Sequence, residues 1–224
     1  MPTAWIDHAR RLGAESLAFL LAADCPGCSL PGSLLCPDCA QALAARTVQR
    51  TTPGGVRVCA AHEFDGVVAR CIRRVKEDGQ TLLAPALGVT LRVALPQFGD
   101  EALFVPVPTS RAAFRRRGYR VPELLLRAAG RTPCRMLVST GPRTDQRGLG
   151  RAERARNVRG SMRVRHPLLR PAGAGSSVVI VDDVVTTGAT IDEAARVLRH
   201  AGFRVLGAVA LAVTPSRSEH GVNG

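Results

Sequence analysis

The organisation of this 224-residue chain follows from the stretch VVIVDDVVTTGAT, which runs from Val178 to Thr190. It begins with aliphatic and β-branched residues, which favour a buried strand, and it then reaches two adjacent acids, Asp182 and Asp183. Threonines and Gly188 follow, and the next residues have the apolar spacing of a helix. The stretch therefore predicts a buried strand whose end carries two carboxylates and whose following loop opens a helix.

Strands and helices alternate on both sides of this stretch. Apolar runs predict strands at 56–64, 102–108, 134–139, 161–165, 177–183 and 204–213. Amphipathic spacing predicts helices at 1–23, 38–46, 65–79, 80–95, 122–130 and 190–202, and the turn-rich residues 47–55 are predicted to be a linker. At the start of the last helix we expect Thr190 and Glu193 to form a capping box. The alternation indicates an α/β fold in which helices cover a parallel sheet.

The basic residues are unevenly distributed along the chain. The formal net charge is +13, from 31 basic and 18 acidic residues, and Lys76 is the only lysine. Residues 105–165 hold sixteen arginines and three acids, so this block carries the entire positive excess. A local block of one sign favours an anionic partner such as phosphate, pyrophosphate or nucleic acid. A solvated arginine-rich surface is the alternative.

The apolar segments are too short for a membrane helix, which needs about 18 consecutive apolar residues, so no membrane insertion is expected. The N-terminal run LAFLLAA follows two arginines and faintly imitates a signal peptide. It is short, it comes directly after Glu15 and Ser16, and no cleavage pattern precedes the cysteines. We therefore expect an amphipathic helix there and a cytoplasmic protein.

Four of the seven cysteines form two closely spaced pairs in the pattern C-x2-C-x7-C-x2-C: Cys25, Cys28, Cys36 and Cys39. Each C-x2-C turn can present two thiolates to one metal, so the pattern predicts a closed, structural zinc site. Two disulfides and an iron–sulfur cluster are the alternatives. Cys71 and Cys134 lie in apolar patterns and are expected to be core thiols, while Cys59 and His62 have only a weak metal-like spacing.

The loop after the two acids has the composition of a phosphate-binding site. Thr186, Thr187 and Thr190 offer hydroxyl donors, and Gly188 lets the backbone approach a ligand. The helix start that follows attracts an anion through its free N–H groups and its dipole. The two carboxylates repel phosphate and suit hydroxyl groups or a cation such as Mg²⁺. A sugar phosphate fits both halves of the stretch.

Other interpretations of the stretch fit less well. A Walker A loop requires a lysine, and a dinucleotide fingerprint requires glycines after the strand, whereas the sequence GAG at 173–175 precedes it. A response-regulator receiver domain needs many more residues than follow Asp183. A strand and a capped helix with solvated acids is the plain alternative.

At this point the residues resemble a known family. The stretch VVIVDDVVTTGAT is similar to the phosphoribosyl diphosphate (PRPP) signature of type I phosphoribosyltransferases. The double cysteine pair, LFVPVPTSRAAFRRRGY (103–119), RTDQRGLGRAERARNVRGSM (143–162) and the signature, in that order, resemble the ComF family of competence-associated, phosphoribosyltransferase-like proteins. The resemblance covers about residues 25–213. Some members carry a second cysteine pair, but only Cys59 stands in that region here.

The resemblance implies a division of the chain into three parts. An N-terminal zinc-binding module would occupy 1–46, a linker and hood-like segment 47–101, and a phosphoribosyltransferase-like domain 102–216. It also implies Mg²⁺ bound together with PRPP, and zinc as a structural metal.

The resemblance further implies roles for individual residues. Asp182 and Asp183 would be the catalytic residues that contact the ribose. The 5′-phosphate would be bound by Thr186, Thr187, Gly188, Ala189 and Thr190. The diphosphate would be bound by Thr109, Ser110 and Arg111, with Arg115, Arg116 and Arg117 close behind. A lid at 140–160 would close over it through Arg143, Gln146, Arg147, Arg154 and Asn157. Lys76 is expected either to face the same site or to be a solvated side chain at a helix end.

Two functional hypotheses follow. The first is an active phosphoribosyltransferase that joins PRPP to a nitrogenous acceptor. The second is an accessory protein of DNA uptake whose arginine block meets single-stranded DNA or a competence helicase; it could also form a homo-oligomer. The intact acid pair favours PRPP binding. A content of 4% aromatic residues argues against a platform that stacks bases.

Overall fold

A computed structural model of the protein describes residues 24–99, 101–140, 158–165 and 175–215. The strands are β1 (Val48–Thr51), β2 (Arg57–Glu63), β3 (Leu103–Pro106), β4 (Leu137–Ser139), β5 (Met162–Val164), β6 (Ser177–Val185) and β7 (Arg204–Val213). The α-helices are α1 (Pro37–Ala42), α2 (Gly66–Glu77), α3 (Ala84–Ala94), α4 (Arg111–Arg117), α5 (Val121–Ala128) and α6 (Ala189–His200). The predicted helix at 1–23 lies outside the described residues.

Five strands form the main sheet in the order β1-β2-β7-β6-β3. All neighbours pair in parallel except β1, which is antiparallel to β2 at the edge. The side chains of Val178, Val179, Ile180 and Val181 in β6 are completely buried, as expected for a central strand covered on both faces. The predicted α/β fold with a parallel sheet is therefore confirmed.

The register of the parallel strands brings their carboxyl ends to one edge of the sheet, called here the carboxyl edge. Pro106 at the end of β3 pairs with Val181 of β6, and Val185 at the end of β6 pairs with Val213 of β7. The loop after β3 is held further along the same edge, because the Val107 N–H donates to the Val181 carbonyl at 2.8 Å. The segments that follow β2, β3, β6 and β7 therefore lie together.

Two apolar clusters cover the two faces of the sheet. One contains side chains of α2, α3 and α5, including Leu87 and Leu91 of α3, which are both buried. The other contains α6, through Ile191 and Leu198, together with the two-stranded sheet β4–β5. Among the residues that the structure describes, no helix is both long and apolar enough to cross a lipid bilayer.

The linker predicted at 47–55 is wrong over its first half. Val48–Thr51 is strand β1, and Val48 pairs with Ala60 while Thr51 pairs with Arg57. The turn residues after Thr51 join two paired strands instead of two domains. β1 and β2 are thus part of the main sheet, and the proposed boundaries near 46 and 101 stay predictions.

Two other local expectations also differ from the structure. Helix α4 was not predicted, because its sequence RAAFRRR lacks an apolar stripe; Ser110 caps its start and Gly118 ends it in the left-handed region at φ 79°. The strand predicted at 134–139 forms only from Leu137, and it pairs antiparallel with β5 outside the main sheet. The residues that precede this strand still contact the main sheet, since the Cys134 N–H donates to the Phe104 carbonyl of β3 at 2.8 Å.

Replacement of Gly88 with alanine tests the contact between α3 and α5. A Cβ atom at Gly88 would lie 2.5 Å from the backbone carbonyl carbon of Ala128, so the two helices would have to separate. We expect the free energy of unfolding to fall by about 1–3 kcal/mol, measured by urea denaturation. In an uncrowded helix the same substitution stabilises by roughly 0.5–1 kcal/mol.

Val89→Ala is the matched control, because Val89 is 58% exposed on the same helix and should change stability little. A Gly88→Ala protein more stable than the wild type would contradict the close helix contact.

Candidate functional site

The two adjacent acids lie inside strand β6, not beyond its end. The strand was predicted to stop at residue 183, but Val184 and Val185 continue it and pair with Ala212 and Val213 of β7. Neighbouring side chains of a strand point to opposite faces, so Asp182 and Asp183 project to either side of the sheet. Asp183 is buried, and its Oδ1 accepts the Val184 N–H at 2.7 Å. These contacts fix the acid pair at the carboxyl edge.

Gly188 is the turning point between β6 and α6. It is the N-cap residue and has φ 81°, a left-handed conformation that glycine adopts without strain. A Cβ atom there would lie 2.7 Å from Cγ2 of Thr52, so space as well as conformation requires glycine. The backbone N–H of Ala189 donates to the Thr187 hydroxyl at 3.3 Å, which tightens the turn. The predicted phosphate residues 186–190 therefore do form the loop and first turn of a helix.

The predicted capping box of Thr190 and Glu193 is wrong. Gly188 caps the helix without a side-chain hydrogen bond. Glu193 instead accepts the Gly160 N–H at 2.8 Å and pairs with Arg196 at 2.8 Å. Burial opposes ionisation of Glu193, but these donors outweigh burial and lower its pKa. The residue that the sequence assigned to local capping thus ties α6 to the segment before β5.

The turn between β1 and β2 supports the start of α6. The Thr52 hydroxyl donates to the Asp192 carboxylate, and the Gly54 N–H donates to its other oxygen at 2.9 Å. Together with the close approach of Thr52 to Gly188, these contacts hold the predicted phosphate loop from outside. The sequence shows only a turn motif at 51–55, so it gave no sign of this role.

The predicted diphosphate loop lies beside the acid pair because β3 and β6 are in register. Thr109 and Ser110 are partly exposed, and Arg111 is exposed at the start of α4. The Ser110 hydroxyl accepts the Ala113 N–H at 3.2 Å, so this side chain caps the helix. Arg115 and Arg116 are exposed on α4, which places a dense positive charge next to the carboxyl edge.

Lys76 contacts Asp183, so it is not the solvated side chain at a helix end that was the alternative. Its Nζ lies 2.7 Å from Oδ1 of Asp183, and the two side chains are only 26% and 13% exposed. The helix that carries it is held at the same point. The Nε of Arg117 donates to the Lys76 carbonyl at 2.7 Å, and the Tyr119 hydroxyl donates to the Val75 carbonyl.

The four predicted metal ligands form one compact cluster. Their Sγ atoms all lie within 4.8 Å of one another, and Cys28 and Cys36 are 3.5 Å apart. None of the seven cysteines, all of which lie in the described ranges, is in a disulfide. Gly27 leaves room for the cluster, because a Cβ atom there would lie 2.3 Å from Sγ of Cys39.

The pKa values of the cysteine thiols favour a bound cation in the cluster. Burial opposes ionisation of Cys25, but the backbone N–H groups directed at its sulfur, from Cys36 first, outweigh it and lower its pKa to about 7. Burial and the neighbouring sulfur of Cys36 raise the pKa of Cys39. One thiolate thus forms readily while crowded sulfurs resist further ionisation, and a bound divalent cation would relieve that repulsion.

The remaining thiols do not join a metal site. Among the described residues, the four-cysteine group is the only cluster of three or more His, Cys, Asp or Glu side chains close enough to share a metal. Cys59 and Cys71 are buried and Cys134 is half-buried, and burial raises the pKa of each. His62 is also buried, which lowers its pKa.

The predicted lid lies largely outside the described part of the chain. Its arginines and amides belong to the segment that is not described: Arg143, Gln146, Arg147, Arg154 and Asn157. The described residues on either side of it are joined, because the Thr140 N–H donates to the Ser161 carbonyl at 2.9 Å and the Thr140 hydroxyl to the Gly160 carbonyl at 2.7 Å.

Comparison with known proteins gives one matching family model and several matching relatives. The family model of the phosphoribosyl transferase domain matches residues 144–222. A DNA utilization protein, YhgH, from Escherichia coli O6:H1 is 28% identical over 194 residues, which cover 80% of this chain and 78% of the relative. The protein of the same name from Shigella flexneri has the same identity and coverage.

The solved structures that match include adenine phosphoribosyltransferase from Saccharomyces cerevisiae, with 17% identity, a TM-score of 0.38 and coverage of 80% of this chain and 89% of the other. Orotate phosphoribosyltransferase from Aeropyrum pernix has 17% identity, a TM-score of 0.35 and coverage of 78% and 81%. The domain match, the relative of similar length and the four-cysteine cluster confirm the resemblance stated from the motifs. The chain thus resembles the ComF family, with a type I phosphoribosyltransferase-like α/β fold and a four-cysteine cluster at 25–39.

Proposed function

We propose that the protein binds PRPP with Mg²⁺ at the carboxyl edge and transfers its phosphoribosyl group to a nitrogenous acceptor. The observation that carries this proposal is the continuous path from the carboxylates of Asp182 and Asp183, through the turn at Gly188, to the start of α6. It offers acceptors for ribose hydroxyls beside donors for a phosphate, at a spacing fixed by a single strand and loop.

The diphosphate half of the ligand would lie at the carboxyl edge, beside the loop that follows β3. The loop at 107–110 is held to β6 by the bond from Val107 to Val181, and it offers hydroxyl groups from Thr109 and Ser110. Arg111 and the other arginines of helix α4 add positive charge. Donors and cations in this position favour the charge that develops on a departing pyrophosphate.

The donor chemistry of the acid pair fits Mg²⁺. Carboxylate oxygens are hard ligands, and Asp183 already holds a cationic group, the Lys76 ammonium, at 2.7 Å. When bound with PRPP, Mg²⁺ would neutralise part of the diphosphate charge. In the transfer itself a bond forms from the acceptor nitrogen to the anomeric carbon, and the bond from that carbon to the pyrophosphate oxygen breaks with both electrons leaving on pyrophosphate.

We also propose that the four-cysteine cluster holds one structural zinc ion. Four sulfurs fill a tetrahedral site, and three of the cysteines are buried, so no position is left for a substrate.

A second candidate function is contact with single-stranded DNA. The observation that favours it is the set of exposed arginines of the 105–165 block, on α4 and around β5, which includes Arg163 and Arg165. The name of the Escherichia coli relative refers to DNA utilization, which fits such a role. Arginine contacts to phosphates would supply affinity without sequence selectivity.

PRPP with Mg²⁺ is expected to raise the melting temperature of the protein. At a concentration of about 100 times Kd, binding stabilises the folded state by roughly 2.7 kcal/mol. Asp183→Asn should largely abolish the shift, because it removes an acceptor for the ribose and a cation partner. Differential scanning fluorimetry measures it.

Asp78→Asn is the matched control, since Asp78 is 46% exposed and pairs only locally with Arg74. No shift for the wild type would refute PRPP binding. If PRPP binds, its consumption in the presence of a panel of nucleobases, with and without DNA, would identify the acceptor.

The purified protein is expected to contain about one zinc ion per chain, because the four sulfurs complete one site. Cys36→Ser should lose that zinc, whereas Cys134→Ser, which changes a thiol outside the cluster, should keep it. Metal analysis by mass spectrometry measures both. Zinc affinity should fall as the pH is lowered through the pKa of about 7 of Cys25, because protons then compete for its thiolate. A fully folded protein without metal would contradict the site.

If the arginine block binds single-stranded DNA, affinity should fall steeply with salt. Each lost phosphate contact should reduce the slope of log K against log salt by about 0.7, so Arg163→Gln with Arg165→Gln should flatten it. Fluorescence anisotropy with a labelled oligonucleotide measures the slope. Arg199→Gln with Arg204→Gln, exposed arginines outside the block, is the control. Equal affinity at low and high salt would rule out this function.

A further inference from the structure

We propose that Lys76 is a substrate-binding residue that competes with the divalent cation for Asp183 and, when substrate and cation bind, contacts the diphosphate of the substrate. This inference rests on the proposed function and extends it to a residue from another part of the chain. Lys76 lies 107 positions before Asp183 in the sequence, yet its Nζ is 2.7 Å from the carboxylate.

The position of Lys76 is built by its surroundings. The side chain of Val75 is completely buried, which fixes the last turn of α2 against the core. The carbonyl groups at a helix C-terminus lack partners within the helix. Here the Nε of Arg117 donates to the carbonyl of Lys76, and the Tyr119 hydroxyl donates to that of Val75. The backbone at Lys76 is therefore fixed, and only its side chain can change conformation.

The same two donors connect Lys76 to the diphosphate loop. Arg117 ends helix α4, whose start follows Thr109 and Ser110 directly. The end of α2 is thus attached to the helix that begins at the proposed diphosphate site. Since the Lys76 side chain is 26% exposed, it reaches solvent at the carboxyl edge while it contacts Asp183.

The residue type matters at this position. The chain has 31 basic residues, and all except Lys76 are arginine. A guanidinium binds a carboxylate through a planar fork that favours one fixed arrangement, whereas an ammonium is a compact charge on a flexible stem. A lysine can leave one oxygen for another with little reorganisation. This is the property needed by a group that exchanges a carboxylate for a phosphate.

Two consequences of opposite sign follow. An ammonium on Asp183 occupies the oxygen that a divalent cation would use, so removal of the charge should strengthen binding of the cation alone. The same removal should weaken binding of a diphosphate, because it loses a charged donor. A lysine that merely stabilises the fold would change both affinities in the same direction, and a solvated lysine would change neither.

The experiment compares wild-type protein with Lys76→Met, Lys76→Arg and Arg74→Gln. Arg74→Gln is the matched control, because it removes one positive charge from the same helix where the side chain is 42% exposed. Two titrations are made on each protein: Mn²⁺ alone, followed by electron paramagnetic resonance, and PRPP with Mg²⁺, followed by calorimetry. Circular dichroism verifies that each variant is folded.

For Lys76→Met we expect Mn²⁺ to bind about threefold tighter or more, the size of a partly exposed ion pair. We expect PRPP to bind at least about tenfold weaker, the size of one lost charged hydrogen bond. Lys76→Arg should return Mn²⁺ affinity towards the wild-type value, and Arg74→Gln should change neither affinity beyond about twofold.

Unchanged affinities, or a parallel loss of both, in folded Lys76→Met would overturn the proposal. If wild-type protein does not bind PRPP, the proposed function fails, and the diphosphate half of this inference fails with it. The Mn²⁺ titration then still decides the competition at Asp183, since that half depends only on the contact between the two side chains.

Discussion

The parallel pairing of β6 with β3 on one side and β7 on the other is the constraint on which the candidate site depends. Because parallel strands run in the same direction, the loops that follow them lie at the same edge of the sheet. The pairing of Pro106 with Val181 places the loop after β3 next to the acid pair, although the two segments are far apart in sequence. A shift of this register by one residue would turn both carboxylates to the opposite faces.

The elements of the sheet and the turn between β6 and α6 could be predicted because their signals are local. Strand β6 contains the unbroken apolar run 178–181, and the leucines of α3 repeat at helical spacing. The turn at 186–190 also follows from adjacent residue types, as does the clustering of the four cysteines. Each of these features depends on neighbours within a few positions, which is the range over which a sequence pattern carries information.

The contacts that the sequence did not reveal join distant segments. Asp192 accepts hydrogen bonds from Thr52 and Gly54 in the turn between β1 and β2. These donors lie 140 and 138 residues earlier in the sequence. Glu193 looks like a local capping residue, but its carboxylate instead accepts the N–H of Gly160 in the segment before β5. Strand β1 has no apolar alternation of its own and exists because β2 offers it an edge. Tertiary partners decided each of these cases.

Helix α2 connects the two candidate sites of the molecule. Near its start, Val67 packs against the cysteine cluster, and Arg70 donates through Nε to the Pro26 carbonyl at 3.2 Å. Near its end, Lys76 reaches Asp183. A helix of twelve residues is about 18 Å long and stiff, so the position of its last turn depends on where its first turns are fixed. A closed four-sulfur metal site would therefore fix the helix whose last turn carries Lys76.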